Sequence, residues 1–483
     1  MKKIIGSLLI VLLLWSNVFA FCGFYVAGAG AKLYNKSSQV IIARDGDKTV
    51  VTMESDFSGD VKQFAMVVPV PTVLKKEQIR VLKDDGIFSK LDKYSEPRIV
   101  EYHDPNPCEE LSYEKKEGMA AADSAPATTS EAKASEKNYK VKIEAQYEIG
   151  EYSILILSAE ESDGLTRWLK DNSYSVPDKA NEVLEPYIKN KLKFFVVKVN
   201  LNKLTPDFQD QQKLRPIQIE YNYNKFMLPI RLGMANATEA QDLTVYAFSK
   251  KGRIECANYR TIEIPTDKNI PLRIKDCFAD FYQKVFENQY RKANKAGVFV
   301  EYAWDLSSSN FLKCDPCPVE PPVASDLKEA GVFWLKYQNY DNYDGVVYLT
   351  RLHLRYDRPN FPEDLMFIHT PNKENFQCRY IVTHPAEGDM DCSEGRKYLR
   401  ELKKRKHAEE TTLAVLIGWK GSGKQEKAAA TGKAIVPNLS ADEVDSYDVD
   451  DFPYKWAFFG LLGIIIILGL PFFINQLRIL RRK

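Results

Sequence analysis

The sequence predicts an α+β fold, a mostly antiparallel, β-rich ectodomain with inserted helices followed by one C-terminal transmembrane helix. Three observations lead there. Short runs rich in Val, Ile, Phe and Tyr recur along most of the chain, bounded by Gly, Pro, Asn and Asp, as strands are. A few longer stretches carry apolar residues at helical spacing, and meandering strands with inserted helices point to mainly antiparallel sheet. Residues 456–474 form an uncharged apolar run long enough for one bilayer crossing. The 483 residues contain no fixed-period repeat.

The elements follow in chain order. Met1-Lys2-Lys3, an apolar run over 4–15 and Val18-Phe19-Ala20 make residues 1–20 a secretory signal peptide. Phe21 before Cys22 excludes a lipid-attachment signal. Residues 21–113 read as a β-rich N-terminal part. Within it, "QVIIARDGDKTVVTM" is a hairpin about Asp45-Gly46. "FAMVVPVPTVL" is a strand whose Pro69 and Pro71 require an edge or an exit from the sheet. Residues 114–138 bury almost nothing apolar and are expected to be a flexible insert. The main α+β part spans 139–418. Its helices are expected at 160–172, 178–191, 275–295 and 393–417, the first with Leu165, Trp168 and Leu169 on one face and the last with a charged middle. Residues 419–455 have stalk composition, and 475–483 form a basic tail with Arg478, Arg481, Arg482 and Lys483.

These ends predict a single-pass cell-membrane protein with its signal peptide cleaved, its N-terminal ectodomain outside the cytoplasm and its C-terminus inside. The lipid bilayer is then one partner. The ectodomain keeps 60 of the 67 basic residues against all 66 acidic ones, a balance of −6. That charge offers no footprint for nucleic acid.

Eight cysteines, Cys22, Cys108, Cys256, Cys277, Cys314, Cys317, Cys378 and Cys392, all fall in the ectodomain and are disulfide candidates. Eight permit 105 connectivities. Pairing neighbours along the chain gives Cys22–Cys108, Cys256–Cys277 and Cys378–Cys392. Cys314-Asp315-Pro316-Cys317 has the spacing of a dithiol redox centre, but Pro318, Pro321 and Pro322 prevent a helix from starting at once. Three readings stand: a structural disulfide in a rigid loop, a redox pair, or half of a metal site completed by Cys378 or Cys392.

Other motifs dissolve on inspection. "LAVLIGWKGSGKQ" places Gly418, Gly423 and Lys424 at phosphate-loop spacing, yet Gln425 stands where a magnesium-binding Ser or Thr belongs. No nucleotide is implied. His103, His353, His369, His384 and His407 show no metal-binding spacing, and aligning Gly345 with a calcium loop puts Tyr340 and Arg351 at ligand positions. No nucleophile elbow occurs. The pairs Glu109-Glu110 and Glu363-Asp364 read as surface charge, and Tyr337, Tyr340 and Tyr343 as turn tyrosines or a recognition surface. No cofactor, metal or catalytic residue follows from these patterns.

From "FCGFYVAGAGAKLYNKSSQVIIARDGDKTVVTM" onward the chain resembles the bacterial domain-of-unknown-function family 2330. The likeness continues through "FAMVVPVPTVLKKEQI", "PRIVEYHDPNPCE", "VLEPYIKNKLKFFVVKVNL", "FMLPIRLGMANA", "CDPCPVEPP", "VYLTRLHLRYD" and "ENFQCRYIVTHP". It implies a signal-bearing extracytoplasmic protein, often membrane-anchored, and transfers no functional residue. The expected function is a membrane-anchored binding or envelope-associated interaction module for an unknown extracytoplasmic protein or ligand. The alternative is a thiol–disulfide oxidoreductase with Cys314 as nucleophile and Cys317 as resolving thiol.

Overall fold

The computed structural model describes residues 24–27, 38–55, 63–109, 140–172, 176, 180–200, 203, 214–235 and 240–419. The chain divides into two units, 1–419 and 420–483, and every described residue belongs to the first. The expected signal peptide, the insert at 114–138, the stalk beyond Trp419, the segment 456–474, the basic tail and Cys22 lie outside the described residues.

A nine-stranded sheet runs β14 (Arg260–Glu263), β16 (Gly297–Asp305), β19 (Tyr348–Tyr356), β12 (Gln241–Ser249), β2 (Ser38–Asp45), β3 (Lys48–Ser55), β10 (Ile217–Asn222) and β5 (Ile79–Val81), with β21 (Phe376–Gln377) also paired to β16. Only β14·β16 and β12·β2 are parallel neighbours in it. An antiparallel five-stranded sheet runs β1 (Phe24–Ala27), β4 (Gln63–Val70), β9 (Lys193–Asn200), β8 (Tyr152–Ala159) and β7 (Val141–Ile149). Smaller sheets join β11 (Met227–Leu228), β20 (Leu365–His369) and β13 (Ile254–Cys256), and β15 (Lys268–Asn269), β22 (Arg379–His384) and β6 (Arg98–His103). The last pair is β17 (Lys336–Tyr337) with β18 (Tyr343–Asp344).

Local sequence explains several of these strands. The β2–β3 register closes at Asp45↔Lys48, and Gly46 supplies the left-handed turn position at φ +59°. Pro69 sits past the last β1 contact at Val67, so among the described residues β4 pairs there with β9 alone and the missing N–H is harmless. In β2, Val40 and Ile42 enter one core while Ile41 and Ala43 enter another, which is why the strand is apolar on both faces.

The helices are α1 (Gly86–Ser95), α2 (Ser162–Asp171), α3 (Ala180–Lys189), α4 (Phe278–Lys292), α5 (Ala324–Glu329) and α6 (Ser393–Ile417). Four match the helical spacing; α1 and α5 were not anticipated. The main core lies between the two large sheets, where Val40, Ile42 and Met53 pack with Met66, Ile154 and Phe195. On the other face of the central sheet, Ile41 and Tyr246 meet Phe88, Leu91 and Tyr94 of α1 and Leu327 of α5. On the other face of the five-stranded sheet, Phe194 and Val196 meet α2 and α3.

The membrane part of the prediction is corrected. Among the described residues no helix is long and apolar enough to cross a membrane. The longest, α6, has 25 residues but carries exposed Lys and Arg through its middle, each costing about 2.5–3.5 kcal/mol at a bilayer centre. The fold is mixed α+β with several sheets and helices. The transmembrane helix, the bilayer as partner and the single-pass localisation therefore have no support in it.

A buried ionic network crosses the central sheet. The β16–β19 register slips between Val300 and Tyr302, leaving Glu301 as the bulge residue at 1% exposure. Its carboxylate accepts from Arg351 Nε at 2.7 Å, from His353 Nδ1 at 2.7 Å and from the Tyr282 hydroxyl. Arg351 reaches on to Asp92 of α1 at 2.7 Å. Asp242 takes a bidentate Arg355 at 2.9 Å and faces His353 Nε2 at 3.5 Å. Burial alone would raise Glu301, but His353, Arg351 and Tyr282 outweigh it and hold its pKa down to about 2. Asp242 is likewise held at about 2, against burial, by His353 and Arg355. Burial opposes the charge on His353, yet Glu301 and Asp242 raise its pKa to about 9.

The signs fix a pH window. The carboxylates contribute above their ordinary values and lose that contribution as pH falls toward about 2; His353 contributes fully below about 6.5 and loses it as pH rises through about 9. Thermal melting across pH should therefore peak between about 4.5 and 6.5 and fall on both sides. His353→Gln should flatten the alkaline limb. Glu301→Leu, which takes the shared carboxylate from Arg351 and His353 and leaves them only Asp92 and Asp242, should cost about 3 kcal/mol in denaturant titration.

Candidate redox site

Strand β16 delivers the site. After Asp305 the chain turns, Ser307 N donating to the Asp305 carboxylate at 2.9 Å, and the loop folds back over its own strand. Three aromatic side chains of β16 and α1 seize its carbonyls. Trp304 Nε1 donates to Leu312 O at 2.8 Å, Tyr302 to Lys313 O at 3.0 Å, and Tyr94 to the same oxygen. This places Cys314 in the core at 2% exposure, disulfide-bonded to Cys317 with Cα atoms 5.1 Å apart. Cys317 is exposed, as are Phe311 and Leu312. Exposure thus favours the second sulfur for attack, the opposite of the order assigned from sequence.

The two residues between the cysteines are held by their backbone. Arg98 Nη1 and Gln377 Nε2 donate to Pro316 O at 3.2 and 3.3 Å. Gln377 Oε1 accepts Asp315 N at 3.4 Å, and Arg379 donates to Asp315 O at 2.7 Å and to its carboxylate at 3.1 Å. Beside them, Lys313 Nζ donates to the Tyr343 hydroxyl at 2.9 Å, its pKa lowered by burial. Arg98, Gln377 and Arg379 were not foreseen. They come from β6, 218 residues from the loop, and from β21–β22, 61 and 64 residues from it, and no local motif marks them. No helix opens at Cys317; α5 begins only at Ala324.

The other cysteines sort differently. Cys108 bonds Cys392, 284 residues away, with Cα atoms 6.0 Å apart. Cys256, Cys277 and Cys378 are free thiols, so the neighbour pairings Cys22–Cys108, Cys256–Cys277 and Cys378–Cys392 do not form. The reason is topological: β6 and β22 are parallel and end together at His103↔His384, which brings the segments that follow them, with Cys108 and Cys392, side by side. Burial pushes up the pKa of both Cys256 and Cys378. Cys378 lies in the core with its N–H on Glu301 O at 2.8 Å.

The remaining candidates have structural places. His103 and His384 stack at 4.2 Å, with His384 on Glu101 at 2.8 Å. His369 stacks on Phe226, and burial lowers its pKa to about 4. Among the described residues no group of three or more His, Cys, Asp or Glu could hold a metal ion. Asp364 is not surface charge: at 4% exposure it binds Tyr187, Arg231 and the N–H groups of Ile230 and Arg231. Tyr343 is buried, Tyr337 half-buried and Tyr340 exposed. Gly418 ends α6 in the left-handed region at φ +70°, where a Cβ would strike Asn288, while Asn288 donates to Leu416 O at 2.8 Å. It is a helix cap, preceded by helix and not by a strand. Gly423 and Lys424 lie outside the described residues.

A family described as an uncharacterized protein conserved in bacteria (DUF2330) matches residues 16–368. The chain belongs to this family. The DUF2330 match includes Arg98 and the Cys314–Cys317 loop and stops before Gln377, Arg379 and Cys392. No curated protein matches the chain. The crystal structure of baculovirus P35 is similar over 71% of this chain and 98% of its own, at 12% identity and a TM-score of 0.24, a likeness too low to inform fold or function. The expected membrane-anchored binding module is accordingly corrected: no described helix could anchor it, and the folded part presents two disulfides.

Alkylation of the native protein followed by peptide mapping checks this sorting. Cys277 should label, Cys256 and Cys378 should stay unlabelled until denaturant is added, and mild reduction should make Cys317 label well before Cys314.

Proposed function

We propose that Cys314 and Cys317 form a thiol–disulfide exchange centre in which Cys317 attacks and Cys314 resolves. The observation that carries this reading is the bonded pair's asymmetry, one cysteine at the surface and the other in the core. Exchange requires a sulfur open to in-line approach, and a second one placed where the first can be reached again. Arg98, Gln377, Arg379, Trp304 and Tyr302 each bind a backbone group of the loop, so its shape does not rest on the S–S bond alone.

The electron count is simple. In the reduced pair, the Cys317 thiolate attacks one sulfur of a substrate disulfide. That bond breaks and one substrate thiolate leaves, taking a proton from water. Cys314 gives up its proton and attacks Cys317 Sγ, the mixed disulfide breaks, and the second substrate thiol departs. Two electrons pass from the dithiol to the substrate; the reverse sequence oxidises a substrate dithiol.

The test is trapping with oxidised glutathione. Cys314→Ala should accumulate a mixed disulfide on Cys317, and Cys317→Ala should accumulate about tenfold less. A wild-type pair that stays oxidised in a millimolar dithiol, or equal trapping in both variants, overturns the reading.

A further inference from the structure

Resting on that reading, we propose that Arg98 is the electrostatic positioning residue of the pair: its buried guanidinium, seated on the Pro316 carbonyl, stabilises the Cys317 thiolate and so sets when the pair attacks and how oxidising it is.

Arg98 is 7% exposed, and its guanidinium donates only to carbonyls: Tyr94 O at 2.5 Å, Glu96 O at 3.0 and 3.1 Å, and Pro316 O at 3.2 Å. Among the described residues no carboxylate is hydrogen-bonded to it; Glu96 offers its backbone oxygen, and its carboxylate acts on the guanidinium only through space. Carbonyl dipoles bind a guanidinium without cancelling its unit of charge, and a buried cation without a counter-ion is costly. Such a group persists where an anion forms transiently beside it. The anion available is the thiolate released one residue beyond Pro316.

The neighbouring cations differ in this respect. Arg379 is neutralised by Asp267 at 2.6 Å and by Asp315. Arg351 is neutralised by Glu301 and Asp92. Lys313 donates to the neutral Tyr343 hydroxyl rather than to the backbone between the two cysteines, and Tyr94 and Tyr302 spend their hydroxyl protons on Lys313 O. Among the described cations bonded to the backbone between the two cysteines, Arg98 is therefore the one with no carboxylate hydrogen-bonded to it. It is also fixed in place, since its own N–H donates to Cys378 O at 3.1 Å. Because the reduced form is the one that holds the thiolate, a nearby cation favours it and makes the disulfide a stronger oxidant.

The experiment follows the reduced full-length chain. Iodoacetamide labelling of Cys317 against pH should give a wild-type midpoint below the ordinary thiol value of about 8.5. Arg98→Gln should raise that midpoint by about one pH unit and shift the glutathione equilibrium about tenfold toward the protein disulfide. Arg98→Lys, which keeps the charge, should restore most of both. A wild-type midpoint at or above about 8.5 overturns the proposal without any variant. A folded Arg98→Gln with an unchanged midpoint overturns it while leaving exchange by the pair intact. Absence of exchange in the glutathione trapping experiment defeats the pair's redox role instead.

Discussion

Glu301 keeps its negative charge inside the central sheet because Arg351, His353 and Tyr282 converge on it, and the arrangement also decides where three distant segments lie. Arg351 passes the connection to Asp92, which fixes α1 and with it Tyr94 and the approach to Arg98. The Glu301 carbonyl receives Cys378 N–H, which fixes the junction of β21 and β22 and so Gln377 and Arg379. Three residues past Glu301, Trp304 holds the returning loop. Every group that grips the Cys314–Cys317 loop is therefore within a few residues of this network. A buried ion set of this kind is a poor source of net stability compared with apolar packing, but it penalises any register in which its members do not meet. Its role here is to specify geometry.

How much was legible in the sequence follows from the range of the interactions. The β2–β3 hairpin was legible because Asp45-Gly46 and the flanking β-branched residues act over a dozen positions. The ends of α6 were legible for the same reason: periodicity stops where Gly418 takes the left-handed conformation. The Cys108–Cys392 bond was not, because it depends on β6 and β22 lying parallel, a pairing between residues about 280 apart. Glu301 gave no signal either. In "VFVEYAW" it looks like the polar member of an alternating strand, and only the bulge and the partners from β19 and α4 turn it inward. Asp364 misled similarly, since a carboxylate beside Glu363 looks solvated until Arg231 and Tyr187 arrive from elsewhere. At the site, the cysteine pair could be seen at once, but its cradle could not.

The distribution of sulfur separates inert from reactive groups by physical setting. Cys256 and Cys378 are buried with raised pKa values and have no route to a substrate. Cys392 opens α6 with its sulfur accepting Gly395 N–H at 3.2 Å, a position that favours a thiolate, but Glu394 in the same first turn adds an opposing charge. Cys317 alone among the described cysteines combines exposure with a bonded partner three residues away.

Ring size assigns the two disulfides different work. A cross-link acts on the unfolded chain in proportion to the logarithm of the loop it closes. For the Cys108–Cys392 bond, with its separation of 284, the chain-entropy relation gives more than about 5 kcal/mol, and typical removals cost about 2–5. It ties the end of β6 to the start of α6 at a corner where Arg405 and Tyr398 of the helix also grip Asp104. For the Cys314–Cys317 bond, separated by 3, the same relation gives only about 2 kcal/mol. The loop around it is already fastened by six side chains that bind its backbone. A cross-link that restrains so little, in a segment so well held without it, is poorly explained as a staple and better explained as a bond that opens and closes.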